Sequence, residues 1–203
     1  MSDQPQAPQV VLVGGGVRSG KSRFALQRAM QLGQQRVFVA TAQIYDDEMQ
    51  RRVTAHQAER GAQFRTVEAP LELAQTLKGL AQKGGVEVVV VDCLTLWQSN
   101  LLLAATGQSK TPEEPQVKAQ VLAQVQELVE LLPQLPFSTV LVSNEVGMGI
   151  VPESALGRWF RDIAGTTHQQ VAAIATEVHM AMMGMRLRLK PGPVVASPLS
   201  LLD

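Results

Sequence analysis

Short apolar runs alternate along the chain with longer stretches in which apolar residues recur every three or four positions. The first run, VVLV at 10–13, ends in three glycines and reads as a buried strand. In residues 21–32, Phe24, Ala25, Arg28, Ala29 and Leu32 fall at i, i+4 and i+8 spacing, which predicts a helix. Further strands are predicted at 37–40, 64–67, 86–91 and 138–142, the fourth strand carrying four consecutive valines before Asp92. Helices are predicted from Asp46 or Asp47 to about residue 60, and over 71–82, 94–105, 116–132 and 153–176. The helix at 116–132 is the clearest, with Val117, Val121, Val125, Leu128, Val129 and Leu132 on one side. Residues 106–115, polar with two prolines, read as a flexible loop. Residues 178–183 and 185–189, about Gly184, read as a closing antiparallel hairpin.

Strands alternating with helices imply an α/β fold: a mostly parallel central sheet with helices on both faces, closed by the C-terminal hairpin. The pattern divides the chain into a flexible extension at 1–9, one domain at 10–190 and a short irregular, proline-rich tail at 191–203.

The first strand-to-helix turn carries the strongest chemical signal. Gly15-Gly16-Val17-Arg18-Ser19-Gly20-Lys21-Ser22 fits G-x-x-x-x-G-K-[ST], a phosphate-binding loop. Glycines let backbone N–H groups close around phosphate oxygens, and the helix N-terminus adds its dipole. Lys21 would neutralise the outer phosphates, and the Ser22 hydroxyl would bind Mg²⁺. The alternative, a glycine-rich turn with no ligand, fits poorly with a buried strand before and a helix after. Asp92, at the end of a neighbouring buried strand, is placed to be the metal-side carboxylate; the lesser reading is an N-cap for the helix that follows, and the two roles can coexist. Ligands of open parallel sheets bind at the strands' carboxyl edge, so Thr41-Ala42-Gln43, Glu68 and Asn144-Glu145 are also candidates; Asn144-Glu145 reads equally as a polar loop.

Three histidines are present. His179 lies in an apolar strand and reads as packing, and His168 has no assigned role. Arg52 and Arg60 flank His56 at i−4 and i+4, on one face of the predicted 46–60 helix. Two guanidinium groups would bind phosphates and keep the imidazole neutral and nucleophilic. A solvated polar face accounts for the same spacing.

Composition narrows the class. With 203 residues, 18 basic and 18 acidic side chains and no net charge, nothing draws the whole molecule to nucleic acid or an anionic membrane. One cysteine, Cys93, excludes a disulfide framework and reads as a small buried side chain. No apolar run reaches the roughly 20 residues of a membrane span, and residues 1–9 lack a signal-peptide pattern, so a cytoplasmic protein is expected.

Five stretches together resemble a known family over nearly the whole chain. They are the loop at 15–22; Ala40-Thr41-Ala42-Gln43 with Asp46-Asp47-Glu48-Met49; Asp92-Cys93-Leu94-Thr95-Leu96-Trp97 with Asn100-Leu101; Ser143-Asn144-Glu145-Val146-Gly147-Met148-Gly149-Ile150-Val151-Pro152-Glu153; and Phe160-Arg161-Asp162-Ile163-Ala164-Gly165. The sequence is similar to the bifunctional adenosylcobinamide kinase/adenosylcobinamide-phosphate guanylyltransferases of cobalamin assembly. The resemblance implies a RecA-like P-loop NTPase fold, usually trimeric, with two reactions. ATP or GTP phosphorylates the aminopropanol hydroxyl of adenosylcobinamide. GMP from GTP is then joined to the resulting phosphate through a covalent guanylyl-histidine, giving adenosylcobinamide-GDP and pyrophosphate. That role would fall on His56, the histidine of the segment after the second strand; Ala55 stands where some members carry a second histidine. Thr41, Ala42, Gln43, Arg60, Glu68 and Asp92 would be nucleotide or metal contacts. Val17 replaces the family's usual alanine and is expected to be tolerated. A kinase without guanylyl transfer, or a nucleotide-controlled switch, are the competing readings.

Overall fold

The structure, a computed structural model, describes residues 7–43, 63–107 and 113–198. Eight strands form one sheet: β1 (Val10–Gly15), β2 (Arg36–Ala40), β3 (Arg65–Glu68), β4 (Val88–Asp92), β5 (Ser138–Asn144), β6 (Glu177–Met182), β7 (Met185–Lys190) and β8 (Val195–Pro198). Their order is β3-β2-β4-β5-β1-β6-β7-β8. The pairs from β3 through β6 are parallel, and β7 and β8 add antiparallel. The helices are α1 (Lys21–Leu32), α2 (Leu73–Lys83), α3 (Leu94–Gly107), α4 (Glu114–Leu131) and α5 (Ala155–Ile174).

The valine-rich runs are explained by burial on both faces of the sheet. Successive side chains of a strand point to opposite faces. Val11, Val13, Val88, Val90, Val140 and Val142 pack with Phe24, Ala25 and Ala29 of α1. Val10, Leu12, Val37, Val39, Val89, Val91 and Leu141 pack on the other face with Leu73, Leu77 and Leu80 of α2, Leu94 and Trp97 of α3, and Val125 and Leu128 of α4. A third cluster joins Leu102, Val117, Val121 and Ile163 where α3, α4 and α5 meet. This is the α/β architecture that the alternating pattern predicts.

Three boundaries differ from the sequence expectation. The tail from 191 is not wholly irregular: Val195–Pro198 pairs with β7, Met185 opposite Pro198 and Arg188 opposite Val195. No alternation announces this strand, because its reason lies in the edge of β7, whose N–H and C=O groups need partners. The extension assigned to 1–9 is tied down at its end. Gln9 O accepts Thr139 N at 2.7 Å, Gln9 N donates to Ser138 Oγ at 3.1 Å, and Arg28 Nη2 donates to Gln9 Oε1 at 3.0 Å. Pro115, read as part of a loop, lies in the first turn of α4, where a missing N–H costs nothing.

His179 does pack, as its apolar surroundings suggested. It is buried, its ring centroid lies 4.9 Å from that of Phe24, and its Nε2 lies 2.9 Å from Glu177 Oε2. Arg28 holds the same carboxylate with two bonds, Nη2 to Oε1 at 2.6 Å and Nε to Oε2 at 3.0 Å, so the pair links α1 to β6. These bonds outweigh desolvation and hold the Glu177 carboxyl at about 2. A depressed carboxyl pKa stabilises the fold above the unfolded value near 4.5 and loses that contribution as pH falls toward about 2. Glu177→Gln is therefore expected to lower stability at pH 7 by about 1–2 kcal/mol, discounted for partial solvent screening. Thermal melts from pH 7 to pH 2 should show the gap from wild type closing below about pH 4.

Candidate active site at the carboxyl edge of the sheet

β1 runs straight into the phosphate loop. Its last residues, Gly14 and Gly15, stay paired with Ser143 and Asn144 of β5. A Cβ on Gly15 would lie 2.5 Å from Ala181 O and 2.6 Å from Ser19 Oγ, so no larger residue fits this approach to β6. Gly20 caps α1 at φ 88°, a left-handed conformation that favours glycine. Ser19 N donates to Gly16 O at 3.3 Å, closing the turn, and Lys21 Nζ reaches the same carbonyl at 3.1 Å. The loop thus has a formed backbone with its lysine folded over it. The side chains of Val17 and Arg18 point outward, Val17 87% exposed, so the valine's extra bulk lies in solvent.

Strand order places the other candidates. β5 lies between β1 and β4, so Asp92 ends two strands from Gly15, about 10 Å across the sheet. The charges of Lys21 and Asp92 both act on the Cys93 thiol. Ser22, in the first turn of α1, and Asp92 offer hard oxygen donors at one edge, as Mg²⁺ needs when phosphates and water complete its shell. Glu68 ends β3, four strands from β1 and about 19 Å away. It is exposed. Ala42 and Gln43 are half-buried just beyond β2. His56 and Arg60, with Arg52, lie outside the described residues. The segment that holds them joins the carboxyl end of β2 to the start of β3.

Thr41, expected as a nucleotide or metal contact, also has a structural part. It is fully buried, and its hydroxyl accepts Cys93 N at 2.7 Å and donates to Cys93 O at 2.8 Å. It clamps the backbone after Asp92, which sets where that carboxylate stands. Asn100 extends the clamp, donating to Thr41 O at 2.8 Å and Pro70 O at 2.9 Å, and Trp97 Nε1 donates to Leu71 O at 2.8 Å. Burial and the Asp92 charge push the Cys93 thiol up to about 11.

Two polar groups were only partly legible. Asn144 Nδ2 donates to Thr95 Oγ1 at 2.8 Å, with Cys93 Sγ 3.2 Å from the same hydroxyl. Ser143 Oγ lies 2.7 Å from His168 Nε2, whose Nδ1 is 3.6 Å from Glu145 Oε2. Burial lowers the His168 pKa against the pull of Glu145, so the ring is neutral near pH 7. The position of Asn144-Glu145 at a strand end was a usable signal. The pairing with His168, 25 residues further on, had none, because α5 folds back over β5 only in three dimensions.

The next residues form an exposed loop held from α5. Arg161 Nη2 donates to Gly147 O at 2.8 Å, and Arg158 Nη1 donates to Pro152 O at 3.1 Å and Glu153 O at 2.6 Å. Met148 and Ile150 at its tip are 77% and 97% exposed. A cleft of about 660 Å³ opens beside it, lined by Gly147, Val151, Trp159, Arg161 and Thr166 among others.

Comparison with known proteins gives a consistent result. Residues 11–189 match the CobU family, described as cobinamide kinase / cobinamide phosphate guanyltransferase. The chain is 42% identical over 183 residues to the bifunctional adenosylcobalamin biosynthesis protein CobP of Pseudomonas aeruginosa, covering 90% of this chain and 98% of that one. It is also 42% identical over 184 residues to the protein CobU of Escherichia coli K12, covering 89% and 99%. The CobU protein of Salmonella typhimurium is 39% identical over 184 residues, again covering 89% and 99%.

Two outcomes follow for the clamp. Thr41→Val leaves the buried Cys93 N–H without its acceptor and is expected to cost about 1–3 kcal/mol, read as a lowered melting temperature. Cys93 is expected to resist a thiol reagent at pH 8 in the native protein and to react stoichiometrically once unfolded by guanidinium.

Proposed function

Because the chain belongs to the cobinamide kinase / cobinamide phosphate guanyltransferase family, we propose that it phosphorylates adenosylcobinamide and then guanylylates the product, with His56 carrying GMP between the two halves of the transfer. The observation that carries this reading is the formed phosphate loop from Gly15 to Lys21, set at one sheet edge with Asp92.

In the kinase step the aminopropanol oxygen attacks the γ-phosphorus of ATP or GTP. The bond to the β-phosphate oxygen breaks, and the nucleoside diphosphate leaves. Such transfer needs mostly alignment and charge neutralisation. Loop amides and Lys21 supply both along the phosphate chain. Ser22 and Asp92 would hold Mg²⁺, which when bound neutralises phosphate charge.

In the transfer step an imidazole nitrogen of His56 bonds to the α-phosphorus of GTP, and pyrophosphate departs. The terminal phosphate of adenosylcobinamide phosphate then attacks the same phosphorus, the P–N bond breaks, and adenosylcobinamide-GDP forms. Two displacements replace one difficult one. The other two histidines support this assignment by being engaged elsewhere: His179 is buried against Phe24, and His168 is bonded to Ser143. Gln43, Arg60 and Glu68 belong, on this reading, to a guanine or ribose subsite at the β2–β3 side, and Ala42 to the turn leading into it. A nucleotide stretched along the edge would link the two regions. The assembly proposed is a cytoplasmic homotrimer without nucleic-acid partners. No helix among the described residues is long and apolar enough to cross a membrane.

Incubation with α-labelled GTP is expected to leave acid-labile, base-stable label on the wild-type protein and none on His56→Ala. Label that survives His56→Ala would remove the nucleophile assigned here. Kinase turnover with no label on wild type would leave a plain kinase.

A further inference from the structure

The carboxylate that follows β5 occupies a particular place. β5 lies between the strand that delivers the phosphate loop and the strand that delivers Asp92, so whatever follows it stands between those two groups. Glu145 is that residue, and its N–H donates to Gly15 O at 2.9 Å, lacing it to the first glycine of the loop. Its Oε1 accepts Gly147 N at 2.6 Å. A Cβ on Gly147 would lie 2.8 Å from that oxygen, so a glycine there lets the carboxylate fold back. The second oxygen, Oε2, faces His168 Nδ1 at 3.6 Å, longer than a hydrogen bond. His168 is itself fixed through Nε2 by the buried Ser143 hydroxyl.

Among the described residues, no lysine or arginine forms an ion pair with Glu145, in contrast with the Arg28–Glu177 pair. Arg161, the guanidinium that reaches this loop, donates to Gly147 O. The carboxylate is thus oriented by a backbone N–H, with its second oxygen left toward His168. Its side chain is about one-quarter exposed, so a ligand reaches it. The cleft lined by Trp159 and Arg161 begins at Gly147, two residues away, on the same loop. A bulky acceptor seated there would extend a hydroxyl past Glu145 toward the phosphate loop.

We propose that Glu145 accepts the proton of the acceptor hydroxyl in the kinase step, and that Ser143 and His168 are positioning residues that aim its carboxylate. The hydroxyl oxygen bonds to the γ-phosphorus, the bridging β–γ P–O bond breaks toward the departing nucleoside diphosphate, and the hydroxyl proton passes to Glu145 Oε2. The proton then leaves to solvent. The proposal rests on the kinase reaction proposed above.

Glu145→Gln is the discriminating variant, because a glutamine oxygen still accepts Gly147 N–H while the base is lost. Kinase kcat with a cobinamide acceptor is expected to fall about 10²–10⁴-fold, with the KM for ATP or GTP within about threefold of wild type. His168→Ala is expected to lower kcat about tenfold at unchanged nucleotide KM, and His168→Asn, which keeps a donor, to recover part of it. A Glu145→Gln enzyme with kcat within threefold of wild type would overturn the proposal. So would a loss of nucleotide binding equal to the loss of turnover, which would mark Glu145 as loop scaffolding. Wild-type protein without kinase turnover would instead bring down the reaction assignment beneath it.

Discussion

Parallel pairing of β5 between β1 and β4 is the constraint from which the rest of this site follows. Register sets Gly15 opposite Asn144 and Asp92 opposite Val142, so β1 and β5 end level and β4 ends two residues earlier on the same edge. The phosphate loop, the Asn144-Glu145 step and Asp92 therefore share one edge. What holds the three strands together is burial of alternating valines on both faces, each worth roughly 1.5–3 kcal/mol. A one-residue slip of β5 would move its core set to the opposite face and carry Glu145 away from the loop.

Beneath the edge, polar side chains take over from the sheet's own hydrogen bonds. Thr41 closes both backbone groups of Cys93, Asn100 takes up Thr41 O, and Thr95 joins Cys93 to Asn144. Buried polar groups in such a network cost little when each is satisfied and much when one is removed. The motif from Asp92 to Asn100 thus has one member facing the nucleotide edge, Asp92, and several that fix where it stands. The raised thiol pKa of Cys93 agrees with a packing role for this residue.

A second tier of positioning comes from α5. Its arginines grip the carbonyls of the loop after Glu145, its His168 meets Ser143, and Gln98 of α3 donates to its Thr167. The loop is therefore held by backbone contacts at its base while Met148, Ile150 and Val151 at its tip stay exposed. Exposed apolar side chains on a tethered loop beside a cleft suit a large, partly apolar acceptor better than a small polar one.

Period and motif carry far in this chain. Short continuous apolar runs separated strands from helices, the G-x-x-x-x-G-K-S spacing located the phosphate loop, and the valine run marked Asp92 as a strand end, because each of these signals is local. Strand order was not local, and it decided that Glu68 stands about 19 Å from the loop while Glu145 stands against it. Thr41 read as a nucleotide or metal contact, and only the fold showed that its hydroxyl also clamps Cys93. The edge strand β8 arose from an unpaired neighbour and not from its own pattern. By itself, then, the sequence determined most of the elements, the loop whose spacing fits phosphate binding, and the family. Which distant side chains meet, Ser143 with His168 and His168 with Glu145, was decided by helix packing over the sheet, since contacts between segments far apart in the chain leave no spacing to read.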